Sequence, residues 1–286
     1  MLLTNPTVVN DIMTRYGFRF TKSLGQNFLI DSNMVKSLSD LSGADSDTAI
    51  FEVGPGIGTL TESLASRCGE IACVEIDRKL IPILNETLSR FDNIRIINDD
   101  ILKTDIHDIC DLFTCKRTIA CANLPYYITT PTITVLLKSD RFDSVTVVIQ
   151  KEAGDRLCAK PGSPDYNAFV VFINTYAEFT QSFKLPAACF MPKPNVDSVA
   201  IRFDVYKNPL VPPEKREFYF RVVRAAFTQR RKTLVNTLST SLDTPLSKAE
   251  LTQAVVECGF DEFIRGEVLE VADFYALSEK ILEFCK

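Results

Sequence analysis

The sequence predicts an α/β fold: a mainly parallel seven-stranded sheet covered on both faces, with an antiparallel edge strand, followed by a small all-helical domain. Three observations lead there. Between residues 49 and 150, short apolar runs alternate with helically spaced segments, the rhythm of parallel strands joined by crossover helices. A glycine-rich loop, Gly54-Pro55-Gly56-Ile57-Gly58, separates the first of these runs from a helix. Beyond Val205 the stretch Lys207 to Pro213 reads as a proline-rich linker, and the apolar spacing after it is helical, with Gly259 and Gly266 as breaks.

Taken in order, Asn5-Pro6 caps a helix over Thr7 to Tyr16, and Gly17 stops it. Thr21 to Leu29 reads as a glycine-containing loop. A second helix is expected over Asn33 to Leu41, with Asp31 or Ser32 as its cap and Gly43 as its stop. Strands follow at Ala49–Val53, Ile71–Ile76, Ile94–Ile97, Thr118–Ala122, Val145–Gln150, Ala168–Tyr176 and Ser198–Val205. The last two lie close together in sequence, which suits an antiparallel edge. Helices are expected over Thr59–Arg67, from Asp77 to Ser89 with Pro82 awkwardly near the start, and over Pro131–Lys138. The domains divide as 1–207, of which 1–45 is an N-terminal helical and loop segment, and 208–286.

At 286 residues, 46% hydrophobic and 24% charged, the composition is that of a globular protein with a sizeable core. No run of about 18 apolar residues occurs, so no membrane span is expected, and the first residues lack the pattern of a secretory signal, which makes the cytoplasm the expected location. Nine cysteines without a Cys-x-x-Cys pair read as reduced thiols, and with His107 as the only histidine no metal site is expected. The net charge of −5 argues against indiscriminate nucleic-acid binding. Its distribution says more. Arg221, Arg224, Arg230, Arg231 and Lys232 lie in a stretch free of acidic residues between Glu217 and Asp243, and Arg15, Arg19 and Lys22 form a second cluster. Two local basic faces on an acidic chain suggest a confined polyanion contact, against the simpler reading of solvated helix faces.

Glycines between a strand and a helix let the backbone approach a ligand closely. Glu75, 21 residues after Gly54 and at the end of the second strand, is placed to bind ribose hydroxyls. The spacing Gly54-x-Gly56-x-Gly58 departs from the Gly-x-Gly-x-x-Gly that seats a dinucleotide pyrophosphate. It favours S-adenosylmethionine, with Asp100 at the third strand end available to the adenine amino group; NAD and a ligandless glycine turn are the other readings.

Asn123-Leu124-Pro125-Tyr126 ends the fourth strand. The exocyclic N6 of adenine is a poor nucleophile because its lone pair is delocalised into the ring. The Asn123 side-chain carbonyl and the Leu124 backbone carbonyl can accept its two N–H groups and draw the nitrogen toward a pyramidal geometry. Pro125 removes a competing donor, and Tyr126 offers a stacking face for a base drawn out of its helix. The simpler reading is a strand-end turn, where Asn and Pro are common.

Several separated motifs together resemble the bacterial small-subunit rRNA adenine-N6,N6-dimethyltransferase family: Leu24-Gly25-Gln26-Asn27-Phe28-Leu29, Glu52 to Thr61, Val74-Glu75-Ile76-Asp77, Asp100-Ile101-Leu102, Asn123 to Tyr127, Phe190 to Ser198, and Ala226 to Leu234 with Gln229-Arg230-Arg231-Lys232. The resemblance spans nearly the whole chain. It implies a Rossmann-like class I S-adenosylmethionine-dependent methyltransferase fold, and a cofactor site made of Asn27, Leu29, Gly54, Gly56, Glu75, Ile76, Asp100 and Asn123. It also implies a base clamp in which Phe190 sandwiches the target base opposite Tyr126, with Asn123, Leu124 and Pro125 as the other catalytic residues. The basic residues of the small domain are then expected to face RNA. The implied substrate is a pair of adjacent adenosines in the 3′-terminal hairpin loop of small-subunit rRNA, methylated within an immature subunit by a monomeric enzyme that releases S-adenosylhomocysteine. The antibiotic-resistance methyltransferases of large-subunit rRNA share the glycine loop and a similar tetrad. Other readings are a DNA adenine methyltransferase, a non-catalytic RNA-binding assembly factor and a nicotinamide oxidoreductase.

Overall fold

The computed structural model describes residues 2–21 and 25–285, with the backbone alone at Tyr126. Leu24 of the first motif, Lys22 of the second basic cluster and the Tyr126 side chain therefore lie outside what is described. The strands are β1 (Phe28–Leu29), β2 (Thr48–Val53), β3 (Glu70–Glu75), β4 (Ile94–Asn98), β5 (Arg117–Asn123), β6 (Ser144–Gln150), β7 (Ala177–Leu185), β8 (Phe190–Met191) and β9 (Ser198–Val205).

Seven of them form one sheet in the order β4-β3-β2-β5-β6-β9-β7, and β1 pairs with β8 in a separate two-stranded ribbon. β2 pairs in parallel with β3 and β5, as do β3 with β4 and β5 with β6. β9 runs antiparallel to β6, with Val147 opposite Ile201. The antiparallel strand thus lies one place in from the edge, and β7 is the edge. Every residue of β2 is buried, as expected of a central parallel strand covered on both faces.

Local chemistry sets the helix ends. Asn5 accepts the Thr7 N–H at 2.9 Å and opens the helix Pro6–Arg15. Asp31 accepts from the backbone of Asn33 and Met34 and opens Ser32–Ser42, which Gly43 closes in the left-handed region. After β3 the chain makes a turn before the helix Ile81–Thr87, so Pro82 falls in the first turn, where its missing N–H is not needed.

One strand expectation is overturned. Ala168–Tyr176 is a helix, capped by Asn167, whose side chain accepts from Phe169 and Val170. The seventh strand is the next segment, Ala177–Leu185, whose mostly exposed residues give it no apolar signature.

The chain divides into two compact units. The first comprises residues up to Gly154 with Glu178–Val205, and the second comprises Asp155–Ala177 with the chain from Tyr206 onward. The second unit thus takes in a segment that a boundary at residue 207 alone would leave in the first. It is built of the helices Ala168–Tyr176, Arg216–Ala226, Leu234–Ser241, Lys248–Glu257 and Val271–Phe284. Its interior is tied by the Tyr166 hydroxyl on Leu269 O at 2.9 Å and by Thr175 Oγ1 against the Tyr219 hydroxyl at 3.0 Å. Among the described residues no helix is long and apolar enough to cross a membrane.

Candidate active site

The C-terminal ends of β2, β3, β4 and β5 open into one cleft of about 220 Å³ in the first unit. Strand order turns outward in both directions from β2 and β5, the point where open parallel sheets leave a crevice for a ligand. Each strand delivers one part of the wall: the glycine loop after β2, Glu75 and Ile76 at the end of β3, Asp99 and Asp100 after β4, and Asn123 to Pro125 at the end of β5.

The glycine loop fits a closely approaching ligand. Gly54, Gly56 and Gly58 have φ of 70°, 62° and 90°, a region that side chains other than glycine's enter at a cost. A Cβ at Gly56 would meet the Phe28 ring at 3.0 Å. Thr59 lines the cleft, and its Oγ1 is buried without a hydrogen-bond partner, a polar atom in want of one. Loop and orphan hydroxyl together suit a nucleoside cofactor.

Glu75 is 4% exposed. Its Oε2 accepts the Gly56 N–H at 3.2 Å and its Oε1 accepts the Asp77 N–H at 2.8 Å. These bonds aim the carboxylate across the cleft mouth. Burial pushes its carboxyl up to about 7, because desolvation disfavours the charged form. Glu52, behind the loop, is also pushed up to about 7, first by burial and less by the Glu75 charge; the Cys73 thiol donates to its Oε2 at 3.4 Å. Ile76 stands half exposed at the rim, an apolar face beside the Glu75 carboxylate. Asp100 accepts the Leu102 N–H at 3.0 Å, which fixes its carboxylate at the cleft edge.

The N-terminal segment crosses the cleft as a strap. β1 pairs with β8, setting Leu29 opposite Phe190 and Phe28 opposite Met191, and Ile30 N donates to Cys189 O at 2.8 Å. Asn27 and Leu29 thereby line the same cleft as Phe190 and Asn123. Asn27 turns its own side chain to Gly25 O at 3.0 Å, while its backbone carbonyl accepts from Asn123 Nδ2 at 3.1 Å. Phe190 is buried and lines the cleft. Tyr127 is 56% exposed at the rim, and the predicted set does not contain it. Nor does it contain Gln26 as a site residue, although Gln26 donates to Asp77 at 2.8 Å.

The basic residues of the second unit are not equivalent. Arg230 is held by the carbonyls of Pro164 and Ser163 and by Glu267. Arg221 bonds Asp243 and packs on Phe218. Arg224, Arg231 and Lys232 are exposed and form no ion pair among the described residues. In the first unit, Arg15 of the second cluster is occupied by Glu86 and Asp11. Among the described residues no group of three or more His, Cys, Asp or Glu side chains is placed to hold a metal ion, and the nine cysteines are free thiols.

A cleft at the ends of the parallel strands, walled by a glycine loop and an Asn-Leu-Pro-Tyr turn, is the arrangement of a class I S-adenosylmethionine-dependent methyltransferase. A family model described as ribosomal RNA adenine dimethylase matches residues 17–280, and the chain belongs to that family. It is 44% identical over 285 residues to the ribosomal RNA small subunit methyltransferase A of Geobacillus thermodenitrificans, covering 98% of this chain and 97% of the relative. It is 40% identical to the protein of the same name from Bacillus licheniformis, covering 98% of each. Among solved structures, a dimethyladenosine transferase from Plasmodium falciparum superposes with a TM-score of 0.75 at 19% identity, covering 89% of this chain and 96% of that one. The 23S rRNA methyltransferase ErmE superposes at 0.67 and 24%, covering 89% and 99%. These two establish the fold.

Proposed function

We propose that the protein transfers methyl groups from S-adenosylmethionine to N6 of two adjacent adenosines in the 3′-terminal hairpin loop of small-subunit rRNA. It acts in the cytoplasm, as a monomer, on an immature subunit, and releases S-adenosylhomocysteine. The observation that carries this reading is the Asn123 amide, turned by its 3.1 Å bond to Asn27 O at the end of β5, beside the glycine loop.

The donor supplies an electrophilic methyl on a sulfonium and leaves as a neutral thioether. Glu75 would hold the cofactor's ribose hydroxyls, Asp100 its adenine amino group, Ile76 its adenine face, and Asn27, Leu29, Gly54 and Gly56 its methionine side. The target base rests against Phe190 and Tyr126. Asn123 Oδ1 and Leu124 O accept its two N–H groups and leave the nitrogen lone pair aimed at the methyl carbon. Positioning and removal of water supply most of the catalysis. The methylated nitrogen is acidic while cationic and loses its proton to solvent, so no histidine base is needed. The monomethyl amine has one N–H left and turns it to the same acceptors for the second transfer. Arg231 and Lys232, with Arg224, offer charge to rRNA phosphates.

Unmethylated small subunits are incubated with the protein and labelled S-adenosylmethionine, and the label is mapped by nucleotide. Label is expected in the two adjacent adenosines of the 3′-terminal hairpin. Label confined to large subunits, or no label, overturns the reading.

A further inference from the structure

The strap is fastened at one side chain that no part of the mechanism uses. Gln26 Oε1 accepts the Thr21 N–H at 3.1 Å, and its Nε2 donates to Asp77 Oδ2 at 2.8 Å. Asp77 is itself fixed: its other oxygen accepts the Lys79 N–H at 3.0 Å, and its own N–H donates to Glu75 Oε1 at 2.8 Å. One residue after Gln26, the Asn27 carbonyl receives Asn123 Nδ2. A run of hydrogen bonds, continued through the Gln26–Asn27 peptide link, thus joins Glu75, on the donor side of the cleft, to Asn123, on the acceptor side, and among the described residues Gln26 is the side chain of the strap that bonds the β3 end.

Both atoms of the amide are used in the sense their chemistry allows. Asp77 as a carboxylate accepts only, so the nitrogen faces it; the Thr21 backbone nitrogen donates only, so the oxygen faces that. A hydrogen bond from a neutral donor to a carboxylate is stronger than one between neutral groups, and this one lies in a partly buried place. The alternative anchor of the strap, the β1–β8 ribbon, is two residues long and lies on the far side of Asn27. Gln26 thus ties the strap to the β3 end on the N-terminal side of Asn27, opposite the ribbon.

We propose that Gln26 is a positioning residue: by pinning the strap to Asp77 it sets the Asn27 carbonyl that orients the Asn123 amide, and so tunes transfer to the adenine amine, above all the second transfer. This rests on the methyl-transfer reading given above. The second transfer depends more heavily on orientation because the monomethyl amine offers a single N–H, so a rotated Asn123 amide has no second bond to compensate.

The test is Gln26→Met, close to Gln in length but unable to make either bond, assayed on unmethylated small subunits beside the wild-type protein. The expected result is a fall in kcat of about tenfold, the scale of one lost orienting hydrogen bond, with N6-monomethyladenosine accumulating and KM for S-adenosylmethionine rising less than about threefold. In the Asn123→Ala background the same substitution costs little further, because both act on one amide. Loss confined to cofactor KM, an unchanged ratio of mono- to dimethyl product, or effects that multiply independently would overturn the proposal. Wild-type protein that labels no small subunit overturns the methyl-transfer reading instead. The strap is then judged by NMR: faster hydrogen exchange of the Asn123 side-chain amide in Gln26→Met supports it, and unchanged exchange sinks it.

Discussion

Asn123 donates from Nδ2 to the carbonyl oxygen of Asn27 at 3.1 Å, across 96 residues of sequence. A backbone carbonyl only accepts, so the nitrogen end of the amide is committed to the strap and Oδ1 is the end that the proposed reaction offers to the amine. Asn123→Asp keeps the shape and replaces that donor with an acceptor facing Asn27 O. The expected consequence is a fall in kcat of about a hundredfold or more, the usual scale for losing a group that polarises the reacting atom. Cofactor affinity should change far less. Single-turnover rates with prebound S-adenosylmethionine, set beside calorimetric affinities, check this; parallel losses in both would remove Asn123 from the acceptor side.

Glu75 stands on the donor side. Its two oxygens are held by the Gly56 and Asp77 backbone, so on the proposed reading Glu75→Ala removes a preorganised acceptor for ribose hydroxyls. Hydrogen bonds to a charged group contribute about 1.5–3 kcal/mol each, which predicts a loss of S-adenosylmethionine affinity of roughly tenfold to a hundredfold. Turnover at saturating cofactor should be largely kept. Titration calorimetry and saturation kinetics separate the two, and a variant with unchanged affinity would contradict the role.

Much of this arrangement is legible in the sequence, and the exceptions share a cause. The glycine loop, Glu75, Asp100 and Asn123 sit at strand ends, where local composition and position coincide. Ala168–Tyr176 misleads because a short, mostly apolar run rich in β-branched residues has no clear periodicity to separate strand from helix; the Asn167 cap was the available signal. Ala177–Leu185 escapes notice because it is an edge strand whose exposed residues include Phe179, and pairing with a neighbour rather than propensity makes it a strand. The ribbon of β1 and β8 has two residues on each side and exists only because residues 28 and 191 are brought together by the tertiary fold. For the same reason Gln26 reads as a loop residue until Asp77 is placed beside it.

Glu52 and Glu75 make the stability of the ligand-free protein depend on pH. Burial raises both carboxyls to about 7, above the range of an unfolded chain. Between the two values the folded state binds more protons than the unfolded one. Stability is therefore fully present below the unfolded carboxylate range and is lost as pH rises from there through about 7. Each group is expected to contribute a loss of about 2 kcal/mol between roughly pH 5.5 and pH 8. Urea denaturation across that range measures it, and Glu52→Gln, which cannot ionise, should flatten about half of the slope. A rise in stability with pH over this interval would contradict the assignment.

The basic turn of the second unit separates into a residue that holds the fold and residues exposed to solvent, which the proposed function gives to RNA. Arg230 closes on the carbonyls of Ser163 and Pro164 and on Glu267 at 3.1 Å, whereas Arg231 and Lys232, next in sequence, are exposed. Neutralising a phosphate releases a counterion, so each such contact contributes to the dependence of affinity on salt. Arg231→Ala and Lys232→Ala are expected to weaken small-subunit binding and to lower the magnitude of the log–log salt slope by about one each. Arg230→Ala should leave that slope unchanged and lower the stability of the second unit by about 1 kcal/mol, the scale of a lost hydrogen-bonded anchor. Filter binding at several salt concentrations and chemical denaturation distinguish the two classes. A slope change for Arg230→Ala, or none for the other two, would reverse the division of roles along this turn.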